Sequence, residues 1–545
     1  MNGSRLLFPL VAGLILLVSS CRNREGAPDE NLVFRYNEAA DITSLDPAFA
    51  RDQSNIWAVN QLFNGLVQLN DDLGVVPCIA TRWDISPDGR QYTFHLRQDV
   101  YFHNDTCFPG GVGRAVTAGD VAFSFRRIMD PATASPGAWV FGWLQEESPI
   151  EVPDDSTFVI RLKDPFPPFL GILTTPYCMV VPREAVKAYG PDFRRNPVGT
   201  GPFRFAFWKE GVKLVLRRNP SYFETEGGER LPYLEAVNIT FLADRQSAFL
   251  EFVKGKLDFM SGIDPAYKDE LLTRQGALNP KYAGRINLLR KPYLNTEYLG
   301  ILVDTASPLM KDNPLKLLKI REAVSLSFDR RKMIAYLRNS IGVPGLFGIV
   351  PPGLPGSDTV HLYGGYDPRR AAQLLAEAGF PGGEGLPPIT LSSTPDYLDI
   401  CKYIQFQTAA LGIDLRIEVT PPAAIKEMKA QAKLPFFRAS WIADYPDAES
   451  YLSLFLTDNF CPGGPNYTHF SDPRYDRLYR MAMGETVDSV RYGYYLTMQE
   501  EIMARAPVII LYYDEVLRFT RKNVRGLGIN SMNLLSLKRV KKSVN

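Results

Sequence analysis

Cysteine and histidine side chains carry much of protein chemistry, and their placement in this 545-residue chain already narrows its possible roles. Cys21 follows the small residues Ser19 and Ser20, at the end of an apolar run from Leu6 to Val18 that Arg5 precedes. A charged start, a short apolar region and a small-residue cleavage site make a secretory signal over residues 1–20, too short to span a bilayer comfortably. A cysteine in that position is what a bacterial lipobox looks like, so its thiol is expected to be diacylated and Cys21 to become the mature N-terminus. Residues 21–31 are polar and lack apolar periodicity, as a flexible tether does. The other cysteines, Cys78, Cys107, Cys178, Cys401 and Cys461, form no CxxC pair, and their odd number leaves a free thiol or an intermolecular bond. Most are expected to be buried structural cysteines. The four histidines, His95, His103, His361 and His469, are far apart, and His95 falls on the polar side of a strand pattern. There is no GxSxG elbow, phosphate loop, HExxH helix or calcium loop. No metal or cofactor is therefore expected, and the pattern points away from an enzyme.

Composition bounds the rest. The chain beyond the signal is longer than one hydrophobic core normally serves, so two or three lobes are expected. The hydrophobic fraction of 45% and charged fraction of 22% are those of a globular protein. Lys and Arg total 61 against 60 Asp and Glu, a balance that does not steer nucleic acid and suits a small or zwitterionic partner. No second stretch approaches the length of a membrane helix.

The elements that must position any site are those of a mixed α/β protein. Tyr92, Phe94 and Leu96 alternate with polar neighbours, as do Phe158 to Leu162, Val212 to Leu216 and Ile413 to Val419, the period of half-buried strands. Thr117-Ala118-Gly119-Asp120 is a capping box opening a helix through Val121, Phe125 and Ile128. Asp367-Pro368 before Ala371, Leu374 and Leu375, with Gly379 after them, supplies a cap, a first-turn proline and a terminating glycine. Ile404 to Leu411 reads as a further helix. Asp120 is expected to satisfy helix N-terminal amides, Arg321 and Asp329 to make structural bonds, and Gly199 and Gly201 to give backbone freedom at a bend.

Several segments together resemble one family. They are Ser44-Leu45-Asp46-Pro47, Leu62-Phe63-Asn64-Gly65-Leu66, Ser86-Pro87-Asp88-Gly89 with Tyr92-Thr93-Phe94-His95-Leu96-Arg97, and Val116-Thr117-Ala118-Gly119-Asp120. Pro197 to Phe203, Arg217-Arg218-Asn219-Pro220, Ile320-Arg321-Glu322-Ala323 and Trp441-Ile442-Ala443-Asp444-Tyr445-Pro446 continue the series. In this order they resemble the solute-binding proteins, family 5, of ABC importers, which include oligopeptide- and dipeptide-binding members. Residues 105–114 form a Gly/Pro-containing insertion relative to that pattern, expected to be a surface loop.

The resemblance implies an α/β fold of the periplasmic-binding-protein type II-like kind, with two main lobes around a cleft and an extra lobe. Lobe I would combine 32–55, 197–292 and 508–545; lobe II would be 56–196 and lobe III 293–507. It implies that Asp444 receives the α-ammonium of a peptide, with Trp441 lining the same cleft. Arg438 would pair with a ligand carboxylate, Ser440 and Ile442 would share its strand face, and Tyr293 would add a wall. The partners implied are short peptides, an ABC permease and, through the lipid anchor, the membrane, with the protein itself a monomer. A nickel chelate, an oligosaccharide or an opine is an alternative cargo on the same fold. A lipoprotein hydrolase and a chaperone-like surface protein are the readings from other classes.

Overall fold

A computed structural model describes residues 29–543; the signal segment and Cys21 lie outside the described residues. The chain builds one large twisted sheet, a separate four-stranded sheet and the helices that cover them. In space the large sheet runs Leu415–Val419, Ile389–Ser393, Phe436–Ile442, Ile286–Ile301, Val508–Arg521, Phe259–Ser261, Val33–Asn37, Ala236–Thr240, Lys213–Arg218 and Phe203–Lys209. The short Val343–Pro344 also pairs with Val508–Arg521.

Two long antiparallel strands, Ile286–Ile301 and Val508–Arg521, carry the sheet from one half of the molecule to the other. Their pairing is interrupted between Pro292 and Thr296, and the register shifts again between Glu297 and Tyr298. Proline has no N–H to give to a ladder, so the break at Pro292 follows from its chemistry. Residues 286–292 lie opposite 515–521 in one half, and 296–300 lie opposite 508–513 in the other. The strand beginning at Val508 therefore belongs to both halves.

The four-stranded sheet joins Ala80–Ile85, Gln91–Leu96, Thr157–Arg161 and Ile150–Asp154, all antiparallel. The helix Ala118–Met129 packs on it, with Phe125 edge-on to Phe158 at 5.4 Å. Its capping box forms as the sequence predicts, and Asp120 accepts from the Thr117 amide at 2.9 Å. Arg114, from the inserted segment, holds Asp120 through two bonds of 2.7 Å and also pairs with Glu184, so the insertion is tied to the lobe rather than loosely attached. Asp367 caps Pro368–Glu377, and Leu398–Ala409 begins a turn and a half earlier than the apolar periodicity indicates.

A large core runs through the four-stranded sheet, part of the large sheet and the helices Pro473–Gly484 and Asp488–Arg505. A second core lies under Leu318–Leu326, Arg330–Leu337, Pro368–Glu377 and Leu398–Ala409. Arg321 donates to the carbonyls of Leu315 and Arg505 at 2.8 Å each, and Asp329 caps Arg330–Leu337. All five cysteines among the described residues are free thiols. Gly199 and Gly201 are needed for a reason other than the expected backbone freedom. Neither has a positive φ; a Cβ on either would come within 2.4 Å of Leu62 backbone atoms, so close packing requires them.

Candidate ligand-binding site

The break at Pro292 is where the site begins. Freed from the ladder, Leu294 donates its amide to the Ser531 carbonyl at 2.8 Å and accepts from the Ala443 amide at 2.9 Å. The Tyr451 hydroxyl also donates to the Leu294 carbonyl, at 2.7 Å. These bonds fasten the irregular segment 293–295 to the end of the strand Phe436–Ile442. Beyond that strand the chain turns sharply. Ser450 accepts from the Asp444 amide at 3.1 Å and from the Trp441 indole at 3.4 Å, fixing the turn from which Asp444 projects.

Asp444, Ile442 and Tyr293 line one cavity of about 240 Å³. Its other walls come from distant segments: Arg51, Ile56 and Trp57 at the start of the helix Gln53–Leu62, Trp139, and Thr174 to Tyr177. The Trp57 indole donates to the Asn533 carbonyl at 2.8 Å, which holds that ring in place. Beside the cavity, segments distant in sequence are in direct contact. Trp139 packs on Tyr445 with ring centroids 6.2 Å apart, and a Cβ on Gly171 would touch Pro446 at 3.4 Å.

The Asp444 side chain is exposed where it faces the cavity, yet the protein packed around it pushes its carboxyl up to about 6. Among the described residues no cation pulls it back down. Asp444 and Arg51 act with opposite sign on the Tyr177 hydroxyl, so an anion and an exposed cation flank that ring. Arg51 has only a 3.6 Å contact with Asp52, and both side chains are exposed. Deeper in the same turn, burial pushes Glu449 up to about 7 while Tyr445 and Tyr479 donate to it, and Asp447 meets Arg491 at 3.5 Å.

The remaining sequence candidates lie elsewhere. Arg438 donates to Glu297 and its guanidinium sits 3.0 Å from the Tyr397 ring centroid, so the fork expected to meet a ligand carboxylate is engaged within the protein. Ser440 stands opposite Glu297 in the ladder, and Trp441 packs half-buried against the large core. On its other side the strand is paired only through Phe437 with Ser392, leaving the edge from Arg438 to Ile442 without a ladder partner among the described residues. Arg51, Trp57, Trp139 and Tyr177 were not singled out by sequence. They reach the cavity only through the tertiary fold, and no local pattern marks them.

Residues 74–460 match the bacterial extracellular solute-binding proteins, family 5 middle region. The chain belongs to this family. Its members are extracytoplasmic solute-binding proteins of ABC transporters. The chain is 24% identical over 568 residues to the dipeptide-binding protein DppE of Bacillus subtilis (strain 168), covering 97% of both. It is 27% identical over 499 residues to the glutathione-binding protein GsiB of Salmonella typhi, covering 90% of both. Among solved structures, the ABC transporter-associated periplasmic binding protein DppA from Helicobacter pylori, in complex with peptide STSA, matches with a TM-score of 0.75 at 25% identity. That match covers 94% of this chain and 98% of the other. The mixed α/β fold is thus of the periplasmic-binding-protein type II-like kind.

Proposed function

We propose that this solute-binding protein captures short peptides between its lobes and delivers them to an ABC permease, held at the membrane by lipid on Cys21. The observation that supports the cargo assignment is Asp444, a carboxylate on the cavity wall that no cation among the described residues compensates. When a ligand shuts water out of the cavity this anion needs a counter-charge, and a ligand ammonium supplies both charge and direction. Arg51 on the same cavity offers its planar fork to the other end of a zwitterion, the task that Arg438, engaged by Glu297, leaves open. Trp57, Trp139 and Ile442 give apolar contact that accepts varied side chains. The unpaired edge from Arg438 to Ile442 adds backbone groups suited to an extended chain.

On this reading 32–55, 197–292 and 508–545 form lobe I, 56–196 lobe II and 293–507 lobe III, except that Val508 to Tyr513 pair into lobe III, and the paired long strands are the connection that flexes on closure. Native mass spectrometry of freshly purified protein, followed by thermal shift with a pool of di- to pentapeptides, tests the reading. Retained peptide masses and a peptide-dependent shift that Asp444→Ala removes are expected. A sugar, metal chelate or opine retained instead, with no response to peptides, contradicts it.

A further inference from the structure

A second cavity, of about 420 Å³, adjoins the first; Gln53, Trp57, Tyr293 and Asn533 line both. Glu38 lines it, just past the end of the strand Val33–Asn37, and its Oε1 is buried without a hydrogen-bond partner. The other charged groups on this wall are all answered. Arg245 pairs with Asp264 at 3.0 Å, Arg338 pairs with Asp514, and Glu515 pairs with Arg290 at 2.6 Å. Glu38 Oε1 has no such partner; Glu38 acts on the hydroxyl of Tyr36, two residues back and itself unpartnered. Trp57 and Phe259 add aromatic rings to the cavity wall, groups whose faces attract a cation.

A buried carboxylate oxygen with no partner is costly unless something supplies the missing donor. An ordinary structural role for Glu38 would show the donor in the fold. We propose that Glu38 is a specificity-determining residue that receives a cationic side chain, so that the favoured cargo is a peptide carrying lysine, arginine or a similar basic residue. The proposal rests on the peptide reading of the neighbouring cavity: Asp444 holds the α-ammonium, and the basic side chain passes Trp57 and Tyr293 to reach Glu38. Desolvation pushes the Glu38 carboxyl up to about 8 in the empty cavity, so a cation that binds there displaces a proton.

The test is calorimetry on the wild-type protein and Glu38→Gln with matched peptides: Lys-Ala, Ala-Lys and Ala-Lys-Ala against the same sequences with norleucine for lysine. Norleucine keeps the apolar stem and removes only the charge. The wild type is expected to prefer at least one lysine peptide by about ten- to hundredfold, the size of one charge-assisted bond. Glu38→Gln is expected to abolish that preference, so that each lysine peptide and its norleucine partner bind alike. Equal affinity for each lysine and norleucine pair in the wild type overturns the proposal. A separate arm keeps the peptide reading distinguishable. Should none of the peptides bind, that reading fails, and Glu38 is judged by thermal shift with cadaverine against 1,5-pentanediol. Stabilisation by the diamine alone, lost in Glu38→Gln, supports a cation site; equal shifts for both compounds overturn it.

Discussion

Arg438 donates to Glu297 across neighbouring strands, and both side chains are almost entirely withdrawn from solvent. Asn295 also donates to Glu297, at 3.0 Å, and the Tyr397 ring covers the guanidinium. Arg438 Nε has no partner, so the pair is the main compensation for this buried cation. Breaking a buried pair by neutralising one member costs about 3–5 kcal/mol. Glu297→Gln is therefore expected to lower unfolding free energy by about that amount in a denaturant titration, while peptide affinity changes less than about tenfold. A stable variant with lost peptide binding would instead place Arg438 in direct contact with ligand.

The pH dependence of binding is set by Asp444. Its carboxyl is raised to about 6 in the empty cavity, and an ammonium requires the charged form. For a neutral-side-chain peptide, affinity is expected to be about tenfold weaker at pH 5 than at pH 7, because most of the carboxyl is protonated at the lower pH. Calorimetry at the two pH values checks this, with Asp444→Asn showing no such slope.

Stability should depend on pH in a direction set by Glu38. A carboxyl raised above its unfolded value binds its proton more tightly in the folded state. Its contribution is fully present below about 4.5 and is lost as pH rises through about 8. Glu38→Gln removes that loss, so the variant is expected to gain stability over the wild type between about pH 5 and pH 8, the gap levelling off above that. Thermal melts of the two proteins without ligand measure the difference. A gap that stays constant across that range contradicts the assignment.

Closure has its own test at Gly171. A Cβ there would meet Pro446 at 3.4 Å, ordinary contact, so Gly171→Ala is expected to bind like the wild type. A leucine has no room in the closed seam, and overpacking of this kind costs about 1–3 kcal/mol. Gly171→Leu should weaken peptide binding roughly tenfold or more, with small-angle scattering showing a more open molecule in the presence of peptide.

Local chemistry is readable in the chain itself. The caps at Thr117 and Asp367 and the alternation in Gln91–Leu96 each depend on residues close in sequence, and each forms. What escapes a reading of the sequence depends on distance. Arg438 finds a partner 141 residues away, and only the ladder between their strands brings the two together. Trp57, Tyr177 and Arg51 come to the cavity with Asp444 through closure of separate segments. Nothing local in the sequence marks Glu38; its unpartnered oxygen stands out only when the other charges on its cavity wall are seen to be paired. Gly199 and Gly201 are legible as special, but the reason, a backbone approach to Leu62, is tertiary.

The central claim is that Asp444 holds the amine of a peptide. A thermodynamic cycle by calorimetry tests it most directly, pairing wild type and Asp444→Asn with one bound peptide and its N-acetylated form. The account predicts that acetylation and the substitution each weaken binding by about 1.5–3 kcal/mol, the range of a hydrogen bond to a charged group, and that the two losses together hardly exceed either alone. Losses that simply add would show that the amine and Asp444 do not meet.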